Sequence, residues 1–389
     1  CASNKRFGQG GCGRLAVLHA RTVFLASQPE SCGPTWCAMP DPDWSHWQAR
    51  LAPLLRPAGR LYAQAMRCRE HAHAAGWLAS WRPPVPCVSV GNIGWGGSGK
   101  TPLCQYLLRR AAEQGQRAAL LSRGYCAHPP HLPYQVRADS PPDEAGDEPL
   151  LLAQSCPEAH AWVDPLRTRA GARAWRPSQP DLYLLDDGFQ HLAVKRDIDL
   201  VLLRPEDLDS QWDTVLPGGS WREGRRGLRR ADGFCIQAPP GQWPRLRAKF
   251  IVRLGGLQKP LFSFSLTVQG IRHCQTGLLR AAPGTPYLLI SGVAGPQRVL
   301  CTATDTFGPP VRHLCYPDHH RFTAADWETI QRTARDHACP TVLCTPKDAV
   351  KLRSLADDSL FAFDLDLAFG PQWLAAAPFP HWLEHRLVH

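Results

Sequence analysis

A short apolar run leads into a glycine-rich segment in the stretch Val85-Pro-Cys-Val-Ser-Val-Gly-Asn-Ile-Gly-Trp-Gly-Gly-Ser-Gly-Lys-Thr101. The segment has the spacing Gly94-x-x-x-x-Gly99-Lys100-Thr101, which is the phosphate-binding-loop (P-loop) pattern. Small residues let successive backbone N–H groups curl around the β- and γ-phosphates, while Lys100 adds a positive charge and Thr101 a hydroxyl for Mg²⁺. The stretch therefore predicts that one substrate is a nucleoside triphosphate.

The residues on either side of the loop support this prediction. A strand-like run precedes it, and Pro102 stands at the first position of a helical segment, Leu103-Cys-Gln-Tyr-Leu-Leu-Arg-Arg. The positive end of a helix dipole would then point at the phosphates. The predicted nucleotide-binding residues are Gly94, Trp95, Gly96, Gly97, Ser98, Gly99, Lys100 and Thr101.

Composition restricts the class of protein further. A chain of 389 residues is long enough for two domains, and its formal net charge is +10. Only seven of its 44 basic residues are lysines. An arginine excess suits the recognition of phosphate or carboxylate, so an anionic lipid, a nucleotide or a nucleic acid are all admissible partners; a general use of Arg in place of Lys is the alternative. The 15 cysteines form no C-x-x-C pair and indicate reduced thiols rather than a disulfide framework or zinc site.

The first 38 residues show no periodic pattern, and Met39 precedes the first patterned segment. We therefore expect Met39 to be the true start and residues 1–38 to be dispensable for stability and activity. A signal peptide is the alternative, but polar residues interrupt the apolar run between Val17 and Ala26. No run of the sequence approaches the roughly 18 apolar residues of a membrane span.

Apolar residues recur at helical spacing from Trp44 to Met66, with arginines between them. A basic face opposite a Trp/Leu face is typical of a helix that lies on a membrane surface, and the alternative is a first helix packed on the protein's own core. Pro53 and Pro57 are expected to kink or split this helix.

Strand-like runs alternate with helical stretches along the rest of the chain. Residues 85–90, 118–122, 182–185 and 198–203 read as strands, and 102–114 and 148–156 as helices. This alternation of strands and helices predicts an α/β fold. We expect a P-loop NTPase-like α/β/α domain followed by a second, smaller α/β/α domain. The boundary is expected near 235–245, followed by β-rich segments around 249–253 and 261–269. Residues 127–143, which contain five prolines, are predicted to form a long loop.

Acidic residues follow one of these strands in Leu182-Tyr-Leu-Leu-Asp-Asp-Gly-Phe-Gln-His191. Successive strand side chains point to opposite faces, so only one of Asp186 and Asp187 can face the Mg²⁺ shell opposite Thr101, and the sequence leaves open which. Three further segments would each be unremarkable alone: a helix start at Asp147-Glu148-Pro149, a turn at Asp318-His-His320, and a basic run from Trp221 to Arg230.

Together these segments resemble one family, the tetraacyldisaccharide 4'-kinases (lipid A 4'-kinases) of Gram-negative envelope synthesis. The similarity runs from about Trp44 to Lys351. The matching segments are Val85-Pro-Cys-Val-Ser-Val-Gly-Asn92, the P-loop, Leu121-Ser-Arg-Gly-Tyr125, Ala145-Gly-Asp-Glu-Pro149, Asp186-Asp-Gly-Phe-Gln-His191, Leu216-Pro-Gly-Gly-Ser-Trp-Arg-Glu223, Pro317-Asp-His319 and Thr345-Pro-Lys-Asp-Ala-Val-Lys351.

The resemblance implies a lipid kinase that transfers the ATP γ-phosphoryl group to the 4'-hydroxyl of tetraacyldisaccharide 1-phosphate, with ATP and Mg²⁺ as cofactors. It implies a peripheral or monotopic protein on the cytoplasmic face of the bacterial inner membrane, acting as a monomer on an anionic glycolipid. The corresponding division is an extension over 1–38, an amphipathic membrane-associating segment over 39–75, a P-loop kinase domain over 76–238 and a C-terminal α/β domain over 239–389.

The resemblance also implies roles for individual residues. Asp147 would accept the proton of the sugar hydroxyl, tuned or oriented by His319, while Lys100 and Arg222 stabilise charge. Thr101, Asp186, Asp187 and Glu223 would form the Mg²⁺ and phosphate-proximal group. The remaining members of the matching motifs, expected near the substrate or behind the reacting groups, are Ser122, Tyr125, Glu148, Gln190 and His191.

Two other classes of P-loop protein fit the sequence less well. Thr345-Pro-Lys347-Asp348 resembles a guanine-specificity motif, but that motif needs an intervening residue between Lys and Asp. A nucleic-acid-dependent ATPase would account for the arginine excess, yet the sequence contains no helicase-like set of motifs and no aromatic stacking module. We therefore expect no nucleic-acid partner.

Overall fold

The computed structural model describes residues 44–388, so the predicted extension over 1–38 lies outside the described residues. Thirteen strands join into a single sheet. The strands are β1 Cys87–Asn92, β2 Ala118–Ser122, β3 Tyr134–Val136, β4 His160–Val163, β5 Leu182–Asp186, β6 Ile198–Leu203, β7 Gly233–Gln237, β8 Leu261–His273, β9 Leu279–Arg280, β10 Tyr287–Ser291, β11 Arg312–Cys315, β12 Thr341–Cys344 and β13 Leu360–Trp373.

Helices follow most of these strands. They are α1 Trp44–Ala74, α2 Lys100–Glu113, α3 Pro142–Ala145, α4 Asp147–Ser155, α5 Arg167–Ser178, α6 Trp243–Leu254, α7 Pro296–Phe307, α8 Ala324–Asp336, α9 Pro346–Leu352 and α10 Phe379–Val388. Four short 3₁₀ turns lie between them in the described chain.

The strand order places the P-loop near the middle of the sheet. Along the sheet the strands run β11-β10-β12-β13-β8-β7-β6-β1-β5-β2-β4-β3, and β9 pairs with β8. Strand β1 lies between β5 and β6 and is parallel to both. Because parallel strands end at a common edge, the residues that follow β1, β2 and β5 meet there.

Helices cover both faces of the sheet around β1. Leu103 and Leu107 of α2 pack with Val88 and Val90 on one face. Ala170 of α5 belongs to the cluster of alternate strand residues on the opposite face. Burial on both faces explains why these strands read as continuous apolar runs, and it confirms the predicted α/β class.

The predicted strands and helices near the P-loop are confirmed, with shifts of one or two residues at their ends. The strand expected at 249–253 is wrong, because this stretch belongs to α6, where Leu246, Phe250 and Leu254 repeat at helical spacing and are buried together. The prediction of one long loop over 127–143 is wrong in part, because this stretch contains strand β3, which pairs with β4.

The predicted boundary at 238/239 falls between two strands of one sheet, since β7 pairs in parallel with β8. The C-terminal half of the sheet begins at β8, which pairs antiparallel with β13 from Leu261 to His273. The chain then returns: Phe379 and Leu383 of α10 pack in the same cluster as α2. A clean division of 76–238 from 239–389 therefore stays a prediction, because α10 packs both on α2 of the first half and on β8 and β13 of the second.

Pro53 and Pro57 are predicted to kink or split α1. The helix is continuous from Trp44 to Ala74, so the predicted split is wrong, and the kink stays a prediction. A proline removes only its own backbone donor, and the remaining hydrogen bonds of this long helix hold the turns on either side. Gly59 is buried against the backbone of Val215, so this part of α1 packs on the protein. None of the described helices is long and apolar enough to span a bilayer.

Gly91 is the strand residue that fits β1 against the turn after β5. A Cβ atom at Gly91 would lie 2.6 Å from the backbone nitrogen of Phe189. We expect Gly91→Ala to lower the free energy of unfolding by about 1–3 kcal/mol, because backbone must move to relieve the overlap. Denaturant unfolding measures the loss, and Gly256→Ala is the control, since a Cβ there meets nothing within 4 Å. Equal stability of the two variants would contradict the close approach.

Candidate active site

One large cavity, with a volume of about 1840 Å³, opens at the carboxyl edge of β1, β2 and β5. The P-loop forms one wall, and the start of α7 and of α9 form the facing wall. The antiparallel strands β8 and β13 lie between these walls and contribute side chains such as Val268 and Leu367. The cavity therefore lies where the two halves of the sheet meet.

Gly96 and Gly99 of the P-loop each combine a left-handed backbone conformation with a close neighbour. Gly96 and Gly99 have φ angles of 105° and 88°, which favour residues without a Cβ. A Cβ at Gly99 would lie 2.8 Å from the Phe264 ring, and one at Gly96 would lie 2.8 Å from the Arg204 guanidinium. The start of the loop is fastened by the Trp95 N–H, which donates to the carbonyl of Ser220 at 3.1 Å.

Asp187 lies between two cations at the centre of the cavity. Its Oδ2 accepts a hydrogen bond from Arg222 at 2.6 Å, and its Oδ1 lies 3.6 Å from Lys100 Nζ. Burial acts to raise the pKa of Asp187, but the charges of Lys100 and Arg222 outweigh it and hold that pKa below its usual range. Asp187 therefore stays ionised and fixes Lys100 at the start of α2.

Asp186 ends β5 and is almost fully buried. Its Oδ2 accepts a hydrogen bond from the Ser122 hydroxyl at 3.0 Å. Burial, together with the nearby negative charges of Glu148 and Asp187, raises the pKa of Asp186 to about 6. A carboxyl group in this setting favours an added cation as neighbour, since a cation would offset both effects.

Asp147, the first residue of α4, meets His319 from the other half of the sheet. His319 Nδ1 lies 3.1 Å from Asp147 Oδ2. Burial acts to raise the pKa of Asp147, yet the hydrogen bond with His319 and the charge of Lys351 hold it below its usual value. The same hydrogen bond raises the pKa of His319. The Tyr125 ring packs against the imidazole, with centroids 5.3 Å apart.

Two lysines of α9 reach the start of α4, and the sequence had not marked either of them as a site residue. Lys347 pairs with Glu148, and Lys351 Nζ lies 3.6 Å from Asp147 Oδ2. Both lysines belong to the motif Thr345–Lys351 and are four residues apart on a helix, a spacing that places them on one face. That spacing was the available signal for their shared role.

Gln190 and His191 line the cavity on the side of α1. The Gln190 side-chain amide donates to the Asn92 carbonyl at 3.0 Å, and its backbone carbonyl accepts from Arg69 of α1 at 3.0 Å. Burial, together with the positive charges of Arg167 and Arg69, lowers the pKa of His191 to about 3, so the imidazole is neutral at physiological pH.

Arg167 is a buried residue of the site that sequence reasoning missed. It donates from its guanidinium to the carbonyl of Asp186 at 3.3 Å and lines the cavity. Nothing in the sequence near Arg167 distinguishes it from the other arginines of α5, because its role depends on the packing of α5 beside β5.

Glu223 does not line the cavity that contains the other predicted metal ligands. Both its carboxylate oxygens lie 2.8 Å from Arg230, and one accepts from Gln190 at 3.0 Å. Arg230 also pairs with Glu70 of α1 at 3.1 Å. The metal role of Glu223 stays a prediction, and in this structure its oxygens bind a buried arginine instead.

The structure thus brings nearly all the sequence-predicted site residues into one cavity. Of that set, only Gly94 and Glu223 do not line it. The predicted residues that do are Trp95, Gly96, Gly97, Ser98, Gly99, Lys100, Thr101, Ser122, Tyr125, Asp147, Glu148, Asp186, Asp187, Gln190, His191, Arg222 and His319. Within the described part of the chain, no three His, Cys, Asp or Glu side chains form a ready-made metal cage.

A P-loop, two cations beside it and an ionised carboxylate across the cavity are the parts that phosphoryl transfer to an alcohol requires. Transfer needs positioned phosphates, neutralised charge and a proton acceptor, and the cavity supplies a candidate for each. The fold and the site therefore define a P-loop phosphotransferase.

Comparison with known proteins identifies the family. The family described as tetraacyldisaccharide-1-P 4'-kinase matches residues 51–383, so the chain belongs to that family. A tetraacyldisaccharide 4'-kinase of Nitratidesulfovibrio vulgaris is 46% identical over 341 residues, 87% of this chain and 95% of the relative. One of Oleidesulfovibrio alaskensis is 46% identical over 334 residues, 85% and 92% of the two chains.

A solved structure agrees with this assignment. The crystal structure of LpxK from Aquifex aeolicus in complex with ATP matches with a TM-score of 0.70 and 26% identity, over 87% of this chain and 98% of that one. The predicted family, the predicted fold and the predicted class of enzyme, an ATP-dependent kinase, are confirmed.

The buried pair of Glu223 and Arg230 yields a stability prediction. We expect Arg230→Met to lower the free energy of unfolding by roughly 3 kcal/mol, because it leaves Glu223 buried without its cation. Glu223→Gln with Arg230→Met should cost less than the sum of the two single changes, as measured by denaturant unfolding.

The exposed pair of Arg225 and Asp213 at 3.5 Å provides the control, and Arg225→Met should cost at most about 1 kcal/mol. If Glu223→Gln instead leaves stability unchanged and alters only the Mg²⁺ dependence of turnover, Glu223 acts as a metal ligand and not as the anchor of Arg230.

Proposed function

We propose that this chain transfers the γ-phosphoryl group of ATP to the 4'-hydroxyl of tetraacyldisaccharide 1-phosphate in lipid A biosynthesis. The observation that carries this proposal is the position of Asp147, which lines the same cavity as the P-loop and is held by His319. The family assignment supports the choice of lipid, and the ATP complex of the Aquifex aeolicus enzyme supports the choice of nucleotide.

The reaction is an in-line displacement on the γ-phosphorus. The 4'-hydroxyl oxygen forms a bond to the γ-phosphorus as the bond to the β–γ bridging oxygen breaks, and ADP leaves with that electron pair. The hydroxyl proton passes to the Asp147 carboxylate, which His319 orients through the 3.1 Å contact. Because the charges around Asp147 lower its pKa, the carboxylate is ready to accept a proton at neutral pH.

The P-loop backbone and Lys100 stabilise charge on the phosphates. Asp187 holds the Lys100 ammonium on one side and the Arg222 guanidinium on the other, so both cations are positioned before the nucleotide binds. Preorganised charge of this kind lowers the barrier because little reorganisation is left for the moment of transfer.

The residues at the P-loop also fit Mg²⁺. Three features favour a bound cation here. Thr101 is buried, the pKa of Asp186 is high, and Asp187 Oδ1 accepts no hydrogen bond in the described structure. Thr101, Asp186 and Asp187 would hold the ion. When bound, Mg²⁺ would neutralise charge on the phosphate oxygens.

The exposed face of α1 supports peripheral attachment to the cytoplasmic face of the inner membrane. Leu54 and Leu61 are 77% and 74% exposed, and Arg56 and Arg60 are exposed on the same helix. Apolar side chains that insert, with arginines that attract anionic headgroups, are typical of a monotopic helix. We also propose that the chain acts as a monomer, because the proposed reaction needs no residue from a second chain.

The proposed pair of Asp147 and His319 predicts coupled losses of turnover. Asp147→Asn and His319→Ala should each lower kcat by about 10²–10⁴-fold while ATP binding survives. The double variant should be little worse than the poorer single variant, because the two residues act as a unit. Transfer of ³²P from ATP to tetraacyldisaccharide 1-phosphate in detergent micelles measures the effect.

The control is the exposed pair at the end of α8, Asp336→Asn with His337→Ala, which makes the same chemical changes on the surface. Its activity should equal that of the unmodified enzyme. Losses that simply multiply in the Asp147/His319 double variant would show that the two residues work separately, and full activity of Asp147→Asn would exclude it as the proton acceptor.

The proposed membrane contact predicts that a double change, Leu54→Asp with Leu61→Asp, lowers binding to vesicles of anionic phospholipid by at least about tenfold. The physical reason is the lost transfer of two leucine side chains out of water. Co-sedimentation with vesicles measures binding, and Val311→Asp, another exposed apolar position, is the control. Complete release of the unmodified protein by salt alone would contradict apolar insertion.

A further inference from the structure

Lys351 is a buried lysine directed at the proposed proton acceptor. Its side chain is only 7% exposed, and its Nζ lies 3.6 Å from Asp147 Oδ2 and 3.2 Å from Asp348 Oδ1. The ammonium group also lies 5.4 Å from the centroid of the Phe322 ring, a favourable contact for a cation. Lys351 is not among the residues that line the cavity, so it does not meet the substrates directly.

Asp348 fixes the position of Lys351. Its side chain is fully buried, and its Oδ2 accepts hydrogen bonds from the Gly292 N–H at 3.0 Å and the Thr345 hydroxyl at 2.6 Å. The other oxygen faces Lys351, which is three residues further along α9. An anchor bonded in this way keeps the ammonium group at one place in the fold.

The imidazole of His319 and the ammonium group of Lys351 both approach the same carboxylate oxygen of Asp147. His319 Nδ1 and Lys351 Nζ lie 3.1 Å and 3.6 Å from Oδ2. In the described structure, neither a hydrogen bond nor an ion pair joins Oδ1 of Asp147 to another side chain. The carboxylate is therefore held from one side.

We infer that Lys351, anchored by Asp348, is a positioning residue that holds Asp147 by its Oδ2 and leaves Oδ1 to accept the proton of the 4'-hydroxyl. This inference rests on the proposed function. Lys351 itself neither gives nor takes a proton in the reaction, and its charge stays balanced by Asp348 when Asp147 becomes protonated.

The arrangement also links the acceptor to the docking of the two halves of the sheet. Asp147 begins α4 in the first half, whereas His319, Lys351 and Asp348 come from the second half. The acceptor is therefore complete only where the two halves meet around the cavity.

Lys351→Met tests the inference, because it removes the charge and keeps the length of the side chain. We expect kcat to fall about tenfold or more, since the acceptor loses a fixed orientation. The KM values for ATP and lipid should stay within about threefold, because Lys351 does not line the cavity. Lys351→Arg should recover most of the activity, since it restores the cation.

The pH profile separates positioning from general loss of structure. The charged groups that face Asp147 are His319, Lys351 and Lys347. Removing one cation raises the pKa of the carboxyl, so the acidic limb of kcat should move to higher pH by about one unit in Lys351→Met. ATP titrates identically in the assays of all variants at fixed Mg²⁺ concentration. A difference between their pH profiles of kcat therefore arises from a group of the protein.

Two further variants distinguish a loss of positioning from a folding defect. Lys351→Met with Asp348→Asn removes both charges of the buried pair, so no carboxylate is left without its cation. It should show the same shift of the acidic limb. Lys195→Met is the matched control, because it removes the same charge from an exposed lysine outside the cavity, and its kinetics should not change.

The outcomes distinguish this inference from the proposed function. If Asp147→Asn abolishes turnover but Lys351→Met keeps the kcat and pH profile of the unmodified enzyme, Lys351 does not position Asp147 and only this inference fails. If Asp147→Asn keeps full activity, Asp147 is not the proton acceptor and this inference fails while the proposed phosphoryl transfer stands. If the unmodified enzyme transfers no ³²P from ATP to tetraacyldisaccharide 1-phosphate, the proposed function itself fails. A fall in kcat without any shift of the acidic limb, in both Lys351 variants, would also overturn the positioning role.

Discussion

The contact of Asp187 with Lys100 and Arg222 is the interaction on which the rest of the site depends. Charged side chains removed from water are stable only when they are paired, so the three groups fix one another. Each comes from a different segment: Lys100 from the start of α2, Asp187 from the turn after β5, and Arg222 from the stretch that donates its backbone N–H to Ile93 beside the P-loop. The P-loop therefore keeps its place relative to the sheet through this cluster as well as through its glycines.

A second layer of pairs joins the halves of the sheet across the cavity. At the start of α4, Asp147 contacts His319 and Lys351, and Glu148 contacts Lys347. The P-loop of one half and His319 and Lys347 of the other thus line one cavity, which would hold both the nucleotide and the acceptor hydroxyl of the proposed reaction. Helix α1 reaches the same region through Arg69 and Glu70, which connects the proposed membrane face to residues beside the P-loop.

The sequence predicted the elements near the P-loop because their signals are local. Strand β1, the loop and α2 follow one another without a gap, and the buried strands read as apolar runs. Prediction failed where packing overrides a local signal. The apolar residues of 249–253 indicated a strand, yet they complete the buried face of α6, and α1 continues through Pro53 and Pro57. Helix α10 ends the second half in the chain, yet it also contacts α2 of the first half, where Glu384 pairs with Arg110.

The sequence by itself determined the phosphate site, since the P-loop needs only contiguous residues with suitable spacing. Its resemblance to a family also indicated which distant motifs belong to the reaction, including Asp147 and His319. Only the tertiary structure decided which atoms meet: Lys351 and His319 on one oxygen of Asp147, Arg167 on the carbonyl of Asp186, and Arg230 on Glu223. Asp147 and His319 are 172 residues apart, and such contacts depend on strand order and on how the halves of the sheet pack, which spacing along the chain does not encode.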